Sequence, residues 1–141
     1  MIVRPWEKGD TQKIDIQDAQ KYLIGSPALE EDLTELSNVG WVRTGIFEDE
    51  VMFVFGVFPH WENRFEGFLL LSRNAGRCMV AIHKEVLRFM NSIQTRRLET
   101  TVDVDFKEGH RWVKMLGFQP EGYMKHYRPD GADMVLYARV K

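Results

Sequence analysis

The stretch Leu69-Leu70-Leu71-Ser72-Arg73-Asn74-Ala75-Gly76-Arg77-Cys78 constrains the fold more than any other part of this chain. An apolar strand runs into a short turn carrying one glycine and two arginines, and a long amphipathic helix follows directly. Met79, Ile82, Val86, Phe89, Met90 and Ile93 form the apolar stripe of that helix. A strand that ends at a helix N-terminus gathers backbone N–H groups around a small concavity, and the helix dipole adds partial positive charge. Such a corner suits an anion, a phosphate above all. Gly76 is expected to permit close approach and backbone angles closed to residues with a side chain. The stretch reads as a diphosphate cradle.

After the helix, Arg97 to Phe106 alternates, with Leu98, Thr100, Val102 and Val104 on one face and Glu99, Thr101, Asp103 and Asp105 on the other. Strand, helix and strand then make a crossover, so the two strands should run parallel with a right-handed connection. Ligands of open α/β sheets collect beyond the carboxyl ends of the strands. Those ends are Ser72-Arg73 and Asp105-Phe106.

The remaining elements follow from periodicity and punctuation. Met1 to Trp6 reads as a strand and Thr11 to Leu23 as a helix with Ile16, Ala19, Tyr22 and Leu23 inside. Gly25 stops that helix, and Ser26-Pro27 starts a second one to Ser37, carrying Glu30, Glu31, Asp32 and Glu35. Gly40–Phe47 and Val51–Phe58 form a hairpin around Glu48-Asp49-Glu50. Pro59 to Asn63 is expected to be a loop with Trp61 exposed, leading into the strand Phe65–Ser72. A short helix from Lys107 buries Trp112, Val113, Met115 and Leu116 and ends at Gly117. Gly122–Tyr127 and Asp133–Val140 are the last strands, around Arg128-Pro129-Asp130-Gly131. The order β-α-α-β-β-β-α-β-α-β-β predicts one α/β domain over residues 1–141 with a mixed sheet.

Composition removes several function classes. A net charge of −2 carries no basic bias toward nucleic acid, and 44% hydrophobic residues suffice for a sizeable core. Cys78 is the single cysteine, so an internal disulfide and a cysteine metal cluster are excluded. His60, His83, His110 and His126 lack metal-ligand spacing, and no metal site is expected. No run approaches the roughly 20 apolar residues of a membrane span, and Met1–Pro5 is too short for a signal peptide. A cytoplasmic protein is expected. Cys78, at a helix N-terminus, is either a reactive thiol or a small packing residue, and the second reading is favoured.

These features resemble the GNAT superfamily of acetyl-CoA-dependent N-acyltransferases over nearly the whole chain. Ile2-Val3-Arg4-Pro5 with Asp10 is similar to that family's first strand. Arg73-Asn74-Ala75-Gly76-Arg77-Cys78 resembles its (Gln/Arg)-x-x-Gly-x-(Gly/Ala) motif, with Cys78 in the last small position. Trp112-Val113-Lys114-Met115-Leu116-Gly117-Phe118 resembles its last-helix signature, and the paired final strands also match. The resemblance implies a splayed parallel pair between the fourth and fifth strands and acetyl-CoA as co-substrate. Pantetheine would pair with Leu69, Leu70 and Leu71, and the diphosphate would sit on Arg73, Asn74, Ala75, Gly76, Arg77 and Cys78. It further implies direct attack on the thioester by a primary amine of a small molecule or protein.

For the base, Leu98-Glu99-Thr100 is similar to the stretch that carries a glutamate in ribosomal-protein-type relatives, with Asp103 a rival on the same strand face. Val113 stands where many members carry a tyrosine acid, which leaves thiolate protonation to His110, Tyr127 or water. The acids Glu30, Glu31 and Asp32 lie where the resemblance puts the acceptor, and would favour a cationic amine. The helix His110-Arg111-Trp112-Val113-Lys114 also resembles acetyltransferase-like proteins of tailed bacteriophages, some of them virion components. A non-catalytic structural protein in host cytoplasm or virion is therefore the alternative. No nucleic-acid or membrane partner is expected, and a homodimer is compatible with either reading.

Overall fold

The computed structural model describes residues 1–23 and 27–141. The expected helix stop at Gly25 and N-cap at Ser26 lie outside the described residues. The strands are β1 (Ile2–Pro5), β2 (Val42–Phe47), β3 (Glu50–Trp61), β4 (Arg64–Leu71), β5 (Arg97–Asp103), β6 (Gln119–Met124) and β7 (Met134–Val140). The helices are α1 (Asp10–Lys13), α2 (Pro27–Asn38), α3 (Met79–Ser92) and α4 (Lys107–Met115), with 3₁₀ turns at Asp18–Leu23 and Ala75–Cys78. The strands form one mixed sheet in the order β1-β2-β3-β4-β5-β7-β6. β4 and β5 run parallel, in register from Arg64↔Arg97 to Glu66↔Glu99, as the crossover requires. Two compact units emerge, Met1–Phe58 with Phe68–Ile93, and Pro59–Gly67 with Gln94–Lys141.

In the first unit, β3 is buried continuously from Val51 to Val57, the pattern of a strand covered on both faces. Trp6, Ile14, Ile16, Leu33, Val42, Val51, Val54 and Leu70 make one apolar cluster. Phe55 lies against Phe53 and meets Phe89 of α3 edge-on, with centroids 5.0 Å apart. The β2–β3 hairpin turns on Glu48 and Asp49, both at positive φ, which matches the right-handed twist of its strands.

The segment expected to be one helix from Thr11 to Leu23 is broken. Ile14 is extended, Ile16 bridges to Ser72, and only then does the Asp18–Leu23 turn begin. The physical reason is a period of two: Ile14 and Ile16 are both buried, which a helix of period 3.6 cannot arrange on one side. Tyr22, expected inside, is exposed.

In the second unit, β5 pairs with β7 along its whole length, and β7 with β6. Pro59-His60-Trp61, expected to be a loop, continues β3, and the turn is confined to Glu62-Asn63. Trp61 is exposed as expected, with the Arg64 guanidinium 4.6 Å from its ring centroid. Gly117 is left-handed at φ 94 and ends α4, whereas Met115 points to solvent rather than into the core. Among the described residues, no helix is long and apolar enough to cross a membrane.

Candidate functional site

β4 hands over to α3 through a turn organised by Ser72. Its N–H donates to Met52 O (2.8 Å), its Oγ accepts from Asn74 N–H (3.1 Å), and its carbonyl accepts from Ala75 N–H (3.1 Å). Ser72 is buried, so these bonds are shielded from water and hold the corner in shape. Ala75 and Cys78 pack inward, and burial pushes the Cys78 thiol up, the opposite of an activated thiolate. Cys78 is a packing residue. Gly76 does not adopt the left-handed angles expected of it; a Cβ built there would meet nothing within 4 Å. Its contribution is an open face, not an unusual backbone.

The polar side chains of this turn are engaged with acids in the first unit. Arg77 meets Glu48 (3.0 Å) and Glu50 (3.4 Å), and Asn74 Nδ2 donates to Glu50 (2.8 Å). Arg73 meets Asp15 (3.0 Å) and Asp18 (3.4 Å). Exposed pairs of this kind are weak, so an anionic ligand would displace their carboxylates at small cost.

Along β4, the bond from Ser72 N–H to β3 places Ser72 and Leu70 on the β3 side, and Leu69 and Leu71 on the opposite edge. That edge is taken by residues the sequence did not point to. Gln17 N–H donates to Leu71 O (3.1 Å), and Arg73 N–H donates to Asp15 O (2.9 Å). The Gln20 carboxamide donates to Leu69 O (2.6 Å) and accepts from Leu71 N–H (2.9 Å).

The second unit holds the remaining candidates. Glu99 is 7% exposed and clamped: Arg64 binds both its oxygens (2.8 and 3.0 Å), and Arg97 Nε donates to Oε1 (2.6 Å). The hydrogen bonds from Arg64, and then from Arg97, outweigh burial and hold its carboxyl below the usual range. Arg97 also pairs with Glu121. Asp103 binds Arg128 and accepts Asp105 N–H (2.9 Å).

His110 Nε2 lies 3.1 Å from Val104 O and Nδ1 lies 2.7 Å from the Tyr137 hydroxyl. A carbonyl can only accept, so Nε2 carries the proton, and in the neutral ring Nδ1 accepts the Tyr137 O–H. Burial pushes the Tyr137 phenol up. Tyr127, expected on a strand, lies past the end of β6 and is exposed.

Solved structures with this architecture are numerous. Ard1 from Thermoplasma volcanium superposes with a TM-score of 0.80 at 17% identity, covering 99% of this chain and 96% of that one. A ribosomal-protein-alanine N-acetyltransferase from Brucella melitensis gives 0.74 at 12% identity, with both chains covered completely. A GNAT superfamily phosphinothricin acetyltransferase from Sinorhizobium meliloti, solved in complex with AcCoA, gives 0.74 at 16%, covering 99% and 87%. The chain has the GNAT acetyltransferase fold. No protein-family model matches it, and no curated protein does.

On this GNAT fold, Ser72–Cys78 joins β4 to α3 with an open face at Gly76, and Val113 of α4 is buried. The sequence reading placed Ser72 at a strand end without its turn-organising role, and it missed Arg64, Arg97 and Tyr137, because their roles are contacts. Arg64 meets Glu99 across 35 positions and Tyr137 meets His110 across 27, with no local pattern to announce either.

Proposed function

We propose that this chain transfers the acetyl group of acetyl-CoA to a primary amine of a small molecule or protein. The observation that carries this reading is the corner where β4 passes through Ser72–Cys78 into α3, with an open face at Gly76. It is supported by the shared fold with acetyltransferases, one of them solved with AcCoA.

Acetyl-CoA supplies a thioester carbon that takes the amine nitrogen as its C–S bond breaks, so one proton must leave nitrogen and one must reach sulfur. In this reading Gly76 permits close approach of the diphosphate, Arg73 and Arg77 exchange their carboxylate partners for it, and Asn74, Ala75 and Cys78 shape the turn. Leu69, Leu70 and Leu71 flank the pantetheine. Glu99 or Asp103 receives the amine proton, directly or through water, and His110, Tyr127 or water returns one to the thiolate.

The clamp on Glu99 favours a second reading. A carboxylate held by two guanidiniums is a weak base, and together with Val113 it fits a protein that binds the coenzyme without turning it over. Calorimetry with acetyl-CoA, and free-thiol release over a panel of small amines and lysine or N-terminal peptides, separate the two. Release above the protein-free rate supports transfer. Saturable binding without release supports the second reading, and no binding at millimolar acetyl-CoA removes both.

A further inference from the structure

The edge of β4 turned away from β3 is the place where an extended ligand carrying amides would add to the sheet. That edge is covered by the chain itself. Asp15–Gln17 lies antiparallel to it, through the Ile16↔Ser72 bridge and the bonds from Arg73 N–H to Asp15 O and from Gln17 N–H to Leu71 O. Beyond that bridge Gln20 continues the pairing with a side chain. Its Nε2 donates to Leu69 O at 2.6 Å while its Oε1 accepts from Leu71 N–H at 2.9 Å. One carboxamide thus supplies the donor and acceptor that a strand or ligand amide would present. Gln17 Nε2 steadies it by donating to the same Oε1 (2.9 Å).

We propose that Asp15–Gln20 is a strap, with the Gln20 carboxamide standing in for a secondary amide of the coenzyme's pantetheine arm, so that acetyl-CoA must displace Gln20 to seat. The inference rests on the proposed coenzyme reading. It goes further in naming a side chain of this chain that competes for that seat. Ile16 is buried in the apolar core and stays seated, and the strap yields beyond it, at Gln20. The strap's side-chain anchors to Arg73 are exposed ion pairs, weak at this exposure, and Gln20 itself is only half-buried. A ligand amide that replaces Gln20 restores the same two bonds, so the exchange is close to balanced once the ligand's remaining contacts are made.

Two ligands separate the strap from the cradle. Acetyl-CoA carries the pantetheine arm, whereas 3′-phosphoadenosine 5′-diphosphate carries the diphosphate without it. Gln20→Ala should bind acetyl-CoA roughly tenfold more tightly, the worth of about one net hydrogen bond, chiefly through faster association. Its affinity for the diphosphate probe should stay within about twofold, since that probe leaves the Leu69–Leu71 edge untouched. Gln20→Glu should act in the same direction, because a carboxylate sets a second acceptor against Leu69 O. If the wild type binds acetyl-CoA and neither variant binds it more tightly, the strap is refuted and the coenzyme reading stands. If no form binds either ligand, the coenzyme reading falls and takes the strap with it.

Discussion

Burying a carboxylate costs several kcal/mol unless cations and N–H groups receive it. Among the described residues, Asp10 and Glu99 are the buried carboxylates, and both are received. Asp10 accepts two bonds from Arg4 (2.8 and 2.9 Å), one from Thr44 (2.7 Å) and one from Glu7 N–H (2.8 Å). Burial opposes its ionisation, but those bonds together hold its pKa below the usual value. Asp10→Ala should therefore lower stability by about 1–3 kcal/mol in urea unfolding, because Thr44 and the Glu7 N–H lose their acceptor while Arg4 stays partly hydrated. For both carboxylates the folded pKa lies below the unfolded one, so their stabilisation is complete above about pH 4–5 and is lost as pH falls through the folded value. The melting temperature should hold from pH 8 to about 5 and drop below about 4, with a shallower acid drop in Glu99→Gln; equal slopes for wild type and variant would contradict the assignment. Asp10 was legible in the sequence as a position, and Glu99 as a strand carboxylate. Their burial was not legible, because strand alternation carries no information about Arg64 or Thr44 arriving from other elements.

Three glycines of the first unit show how an element reveals which positions answer to packing and which stay open. A Cβ on Gly56 would sit 2.3 Å from the backbone carbonyl of Trp41, and one on Gly45 would sit 1.8 Å from the Phe53 ring. Both glycines exist because strands approach closely. Gly76 has no such neighbour. Gly56→Ala should destabilise by more than about 2 kcal/mol, through overpacking against backbone that cannot give. Gly76→Ala should keep or raise stability by up to about 1 kcal/mol while weakening acetyl-CoA binding severalfold, as read by thermal melts and calorimetry. An unchanged affinity in Gly76→Ala would remove the glycine from the ligand's path. At this scale the chain was legible where period and punctuation agreed, as in α3, the β2–β3 hairpin and the parallel β4–β5 pair. It misled at Thr11–Leu23, where polar residues of good helix propensity conceal two isoleucines at strand spacing. The Gln17 and Gln20 contacts were lost with it, since a glutamine on an assumed helix carries no mark of pairing with a strand edge.

For the whole molecule, binding is linked to unfolding, so the coenzyme reading can be tested without knowing the acceptor. A ligand that binds only the folded chain stabilises it by RT ln(1 + [L]/Kd), about 2.7 kcal/mol at 100 times Kd. In a chain of 141 residues that corresponds to a rise of roughly 10 °C in melting temperature. The chain carries a net charge of −2, so no general attraction to an anion accounts for such a rise; in the proposed reading the local field at Arg73, Arg77 and the α3 N-terminus contributes to it. Local contacts to a multiply charged ligand are screened by salt, and the shift at fixed acetyl-CoA should shrink between 0.05 and 0.5 M salt, to about half as an order-of-magnitude expectation. Gly76→Glu places a carboxylate on the open face and should abolish the shift while leaving the unliganded melting temperature near that of the wild type, because nothing crowds the position. A rise that survives Gly76→Glu undiminished would mean that the coenzyme binds elsewhere on the fold. In that case the Ser72–Cys78 corner would be only the joint that carries β4 into α3, whose shape Ser72 already maintains through its bonds to Met52, Asn74 and Ala75.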